Sequence, residues 1–135
     1  MVHESDKTLA QRLGFKPGML AVVMGAPDDV MKELLMLPQV QIQKSLTPDA
    51  DYIQFFAPEE SVLQKEFPIL KEHMHPTGCI WICWPKKWSE LGKDLTDENV
   101  RKIGRKNGLS EVKMTAIDDT WSGMKFVYRV QDRQL

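Results

Sequence analysis

The chain has 135 residues, 18 of them Lys or Arg and 19 Asp or Glu, for a formal net charge of −1. That balance provides no global field to attract nucleic acid or an anionic membrane surface. With 42% hydrophobic and 27% charged residues, the composition is that of one globular domain with its own core.

The polar start Met1-Val2-His3-Glu4-Ser5-Asp6 does not read as a signal peptide, and no apolar run approaches the roughly 18 residues that cross a bilayer. A cytoplasmic, single-domain protein spanning 1–135 is expected, without nucleic-acid or membrane partners. Ser5 is placed to cap a short helix through Leu13, with Gly14 as its stop. After the Lys16-Pro17-Gly18 turn, Met19 to Met24 is apolar on both faces, which predicts a strand covered by helices on both sides. Gly25-Ala26-Pro27 breaks it, and Asp28 or Asp29 is placed to cap a helix carrying Val30, Met31, Leu34, Leu35 and Leu37, ended by Pro38.

Val40 to Leu46 alternates as a half-exposed strand, Thr47-Pro48-Asp49 turns, and Tyr52 to Phe56 is a third strand. Pro58-Glu59-Glu60 opens a helix whose apolar face holds Val62, Leu63, Phe67, Leu70 and Met74, and Pro68 is expected to kink or split it. Cys79 to Trp84 is the second doubly buried strand. Its two cysteines lie about 13 Å apart at roughly 3.3 Å per residue, too far to bridge, and read as buried thiols. Thr96 is the N-cap of a helix to about Asn107, with Gly108 as its stop and Arg101, Lys102, Arg105 and Lys106 as a solvated face. Glu111 to Ile117 and Met124 to Val130 are alternating strands, which leaves Asp118 to Gly123 as a hairpin loop.

This order predicts an α/β fold: a three-layer, mostly parallel Rossmann-like sheet of about six strands ending in an antiparallel hairpin. One concrete version is a trimmed methyltransferase-type sheet, whose last antiparallel strand inserts beside the penultimate one. That is analogy at the level of fold and carries no activity.

Ligands in such sheets bind beyond the carboxyl ends of the strands, which selects the loops at Gly25–Asp29, Pro85–Trp88 and Asp118–Ser122. A nucleotide cofactor needs several glycines in the first turn. Here one glycine is followed by Asp28 and Asp29, and Lys44-Ser45-Leu46 stand where a ribose-binding acid would be. No cofactor is therefore expected. Lys86 and Lys87 are candidates for binding a carboxylate or phosphate, or are solvated charges that limit strand length. Asp118 and Asp119 are general-base candidates or partners for those lysines, or make Asx-turn hydrogen bonds to backbone. Trp121 is a core lid, a pocket wall or an interface anchor, and Trp84 and Trp88 flank the lysines at the same edge. Ser122 lacks the paired base that a nucleophile needs. His73-Met74-His75 lacks further metal ligands at suitable spacing. The eight methionines read as core filler.

The segments Ile80-Trp81-Ile82-Cys83-Trp84-Pro85-Lys86-Lys87 and Val112 to Val127, with Leu13-Gly14-Phe15-Lys16-Pro17-Gly18, resemble a bacterial family of domains of unknown function (the DUF 3052 type). The resemblance spans most of the chain and implies no established activity. The reading at this point is a non-catalytic binding or regulatory domain for a small anionic ligand or a partner protein. Its tentative contact residues are Lys86, Lys87, Asp118, Trp121 and Ser122. The alternative is a small enzyme on a degenerate methyltransferase-like scaffold, with Lys86 and Asp118 as acid and base around a small anionic substrate. Monomer and homodimer both remain open.

Overall fold

The computed structural model describes residues 8–37 and 40–132. Six strands form one sheet in the order β2-β1-β3-β4-β6-β5, built from β1 (Leu20–Met24), β2 (Gln41–Gln43), β3 (Ala50–Phe56), β4 (Met74–Pro85), β5 (Leu109–Ala116) and β6 (Trp121–Tyr128). The β1–β2, β1–β3 and β3–β4 pairs are parallel, and β6 runs antiparallel to both β4 and β5. β6 is thus inserted between β4 and β5, as the methyltransferase-type arrangement requires.

Strand periodicity divides the core into two layers. On one face α1 (Leu9–Leu13) and α2 (Asp28–Leu35) cover Val23, Tyr52, Phe56, Trp81, Cys83 and Trp121. On the other, α3 (Glu60–His73) and α4 (Asp97–Lys106) cover Ile53, Phe55, Ile80, Ile82, Trp84 and Phe126. β1 and the Cys79–Trp84 stretch are consequently apolar on both faces, because each is roofed twice. Cys79 and Cys83 are buried free thiols.

Several boundaries differ from the sequence expectations. Thr8, not Ser5, caps α1; its side chain accepts from the Gln11 N–H in a capping box, and Ser5 lies outside the described residues. Pro27, rather than Asp28 or Asp29, holds the α2 cap position, and both acids lie in the first turn. The helix ends at Leu35, and the proposed stop at Pro38 lies outside the described residues. β2 is only Gln41–Gln43 rather than Val40–Leu46, a short edge strand. α3 runs unbroken through Pro68, because that residue is on the exposed face, where the carbonyl deprived of a donor reaches water. Its first turn receives help from afar: Asp94 Oδ1 accepts from the Glu60 N–H at 2.9 Å. Thr96 caps α4 as expected, in a capping box with Asn99.

The hairpin loop is shorter than expected. β6 begins at Trp121, so Trp121, Ser122 and Gly123 are strand residues. Gly123 reads as a loop signal but serves close packing. A Cβ there would lie 2.9 Å from Ile117 Cδ1 and 3.3 Å from Trp81 Cε3. Not every methionine is core filler either, since Met36 is 83% and Met114 49% exposed. No described helix is long and apolar enough to cross a membrane.

Candidate functional site

A cavity of about 250 Å³ opens beyond the carboxyl ends of β4 and β5, on the α3/α4 face. Trp84, Lys86, Lys87, Trp88, Met114 and Ser122 line it, with Leu95, Thr96 and Asp97 at the start of α4. Trp84 and Ser122 are cross-strand neighbours on β4 and β6, and Met114 is on β5. The lysines follow directly on β4, where Pro85 is its last residue.

The loop after β4 is tightly held. Lys86 donates its backbone N–H to the Thr120 carbonyl at 2.7 Å and its Nζ to the Asp118 carbonyl, also at 2.7 Å. Lys86 O accepts from both the N–H and the hydroxyl of Ser89. Gly92 returns so close that a Cβ would meet Lys86 O at 2.5 Å and Lys87 O at 2.6 Å, so no other residue fits without moving the loop. Lys86 Nζ lies 5.9 Å from the ring centre of Trp88, in cation–π range. Trp84 is nearly buried, whereas Trp88 is 82% exposed. Among the described residues, no carboxylate lies within ion-pair distance of Lys86 or Lys87.

Of the sequence-derived candidates, Lys86, Lys87 and Ser122 share this cavity. Asp118 contributes its carbonyl to Lys86, while Oδ1 of its carboxylate serves the turn, accepting from the Thr120 and Trp121 N–H groups at 2.8 Å each. Trp121 is elsewhere. It projects to the α1/α2 face and stacks edge-on against Phe56, with ring centres 5.1 Å apart, as part of the core. Met114, Leu95, Thr96 and Asp97 complete the wall, and no sequence pattern marks them as neighbours. Thr96 was legible as a cap, but nothing in the sequence places that cap beside Lys87.

The topological switch is between β1 and β3. There Gly25 adopts φ +76°, and a Cβ on it would stand 3.2 Å from the Phe56 carbonyl. The turn is therefore seated on the end of β3. At the end of β2, Gln43 Oε1 and Thr47 Oγ1 are buried without a hydrogen-bond partner.

No protein-family model matches the chain, and no functionally curated protein matches it by sequence. The family resemblance read from its motifs has no support from those comparisons. Solved structures do resemble it. A SAM dependent methyltransferase from Aquifex aeolicus aligns with a TM-score of 0.58 at 15% identity, over 87% of this chain and 86% of that one. A putative type 11 methyltransferase from Sulfolobus solfataricus aligns with a TM-score of 0.59 at 12% identity, over 94% and 93%. A possible exported protein from Bordetella parapertussis gives 0.63 at 11%, over 90% and 65%. The chain has a methyltransferase-like scaffold, and at these identities the likeness is one of fold alone.

The cofactor associated with that scaffold, S-adenosylmethionine, fits these residues poorly. Its usual place needs a glycine-rich turn after β1 and a carboxylate after β2. Here the turn has one glycine, Gly25, packed against the Phe56 carbonyl and followed by Asp28 and Asp29, and β2 ends in Gln43 followed by Lys44. The buried Gln43 and Thr47 oxygens without a hydrogen-bond partner are uncharged and do not replace that carboxylate.

Proposed function

We propose that this protein is a non-catalytic binding domain that uses a methyltransferase-like scaffold to hold a small anionic ligand beyond the end of β4. The carrying observation is the cavity itself, in which Lys86 and Lys87 stand beside two indoles without a carboxylate in range among the described residues. Ligand sites are usually concave and apolar with a few placed polar groups, and this one has that make-up. The alternative acid–base pair of Lys86 and Asp118 lacks support in the geometry. Asp118 does not line the cavity, and its Oδ1 is held in the hairpin turn by two backbone N–H groups, which orients the carboxylate there rather than toward Lys86.

A thermal-shift screen of small carboxylates and amines tests the reading. Stabilising carboxylates should lose their effect in Lys86→Glu and keep it in Asp29→Asn, which alters the β1–α2 turn. Hits that survive in Lys86→Glu and vanish in Asp29→Asn would move the site to the switch point and overturn it.

A further inference from the structure

We infer that the preferred ligand of the β4-end cavity is a small planar aromatic monocarboxylate of about the size of benzoate, an inference that rests on reading this cavity as the binding site. Size is the first constraint. A volume of about 250 Å³ lies below the roughly 300–1,000 Å³ of drug-sized ligand sites, which suits a single ring with a short substituent.

Shape is the second. The walls are the Trp84 and Trp88 indoles with Leu95 and Met114. Trp88 presents most of its surface to solvent and stacks on no other aromatic ring among the described residues. An indole so placed gains most from a flat partner, because offset stacking adds to area burial what a puckered ring cannot supply. Met114, also half exposed, can adapt its unbranched thioether to the ring edge.

Charge is the third. Lys86 Nζ spends one N–H on the Asp118 carbonyl and retains two, and Lys87 is exposed beside it. One acid, Asp97, opposes them, and as the first residue of α4 its charge is offset by the helix N-terminus. A phosphate is disfavoured there. The Thr96 and Asn99 amides are already consumed by the capping box, and Asp97 and Glu98 occupy the first turn. A single carboxylate turned toward the lysines avoids that conflict.

The test uses the full chain labelled with ¹⁵N and follows the four indole N–H resonances during titration with benzoate, cyclohexanecarboxylate and benzyl alcohol. Benzoate should move Trp84 and Trp88 and leave Trp81 and Trp121, on the opposite face, unmoved. It should bind about fivefold more tightly than either comparison compound, the size of one exposed aromatic or cation–π contact. Lys86→Gln should erase the advantage over benzyl alcohol, and Trp88→Leu the advantage over cyclohexanecarboxylate. Because Lys86 also ties down the hairpin turn, Lys87→Gln serves as a second charge variant, each checked by its dispersed spectrum. Benzoate and cyclohexanecarboxylate binding equally, both above benzyl alcohol, would overturn the aromatic inference and leave the anionic-ligand site standing; benzyl alcohol binding as well as both acids would overturn the anionic reading too. No shift at Trp84 or Trp88 with any of them would overturn both.

Discussion

Gln54 is fully buried in the middle of β3, on the α1/α2 face. Its Oε1 accepts from the Tyr52 hydroxyl at 3.2 Å, and its Nε2 donates to Cys83 Sγ at 3.4 Å. Tyr52→Phe strands the amide oxygen and should cost about 1–3 kcal/mol in urea unfolding. The thiols nearby titrate high. Burial is the main cause in both, raising Cys79 to about 11 against a pull from Lys125, and Cys83 to about 12 against the Gln54 hydrogen bond. Burial likewise raises Tyr52. For such groups the unfolded chain releases protons first. Stability should therefore be level below the ordinary thiol value of 9.0 and fall as the pH rises from there through about 12, a slope that calorimetry at stepped pH would measure. A flat profile to pH 11 would contradict the buried placement of these thiols. Trp121→Ala, which empties the space beside Phe56, should cost about 3–5 kcal/mol without altering the β4-end cavity on the other face.

At the level of elements, α4 separates local propensity from packing. Thr96→Ala removes the capping box and should cost about 1 kcal/mol. Gly104→Ala would improve helix propensity yet is expected to destabilise by at least about 1–3 kcal/mol, because the added Cβ would stand 2.0 Å from Phe126 Cε1. A stabilised Gly104→Ala protein would mean that α4 sits farther from β6. Caps and periodicity were legible in the sequence for this reason: Thr96, Gly14 and the doubly apolar strands act through neighbours three or four residues away or through burial on both faces. Gly123 and Pro68 were not legible in that way because their roles are set by tertiary surroundings, Ile117 and Trp81 for one and a solvent-facing helix side for the other. The Arg101–Lys106 face was legible only in part. Arg101 and Arg105 both pair with Glu111 across to β5. Burial raises the Glu111 carboxyl, but the Arg105 hydrogen bond and both guanidinium charges leave it below 4.5, so this small contribution disappears as the pH drops through that lowered value.

For the molecule as a whole, the order of helices and strands was enough to specify a three-layer, largely parallel sheet. The cavity was not legible in the same way. Its wall joins the loop after β4, the start of α4 and two strands that come later in the chain, and sequence order does not state that those parts meet. The lysines were visible as charges after a buried strand; Met114 and Leu95 were not visible as their neighbours. S-adenosylmethionine at millimolar concentration should leave the melting temperature unchanged, since the β1–α2 turn has one glycine followed by two acids and no carboxylate follows β2. A rise of several degrees would overturn that reading.

The insertion of β6 beside β4 has a consequence for synthesis. β4 is the longest of the six described strands, its Cys79–Trp84 stretch is wholly apolar, and its second partner, β6, is the last of the six to be made. Until residues 121–128 emerge, the β4 edge from Ile80 to Pro85 has unpaired N–H and C=O groups. A nascent chain paused before that point exposes a sticky edge, and chains truncated there are expected to aggregate in a pelleting assay where the full chain remains in the supernatant.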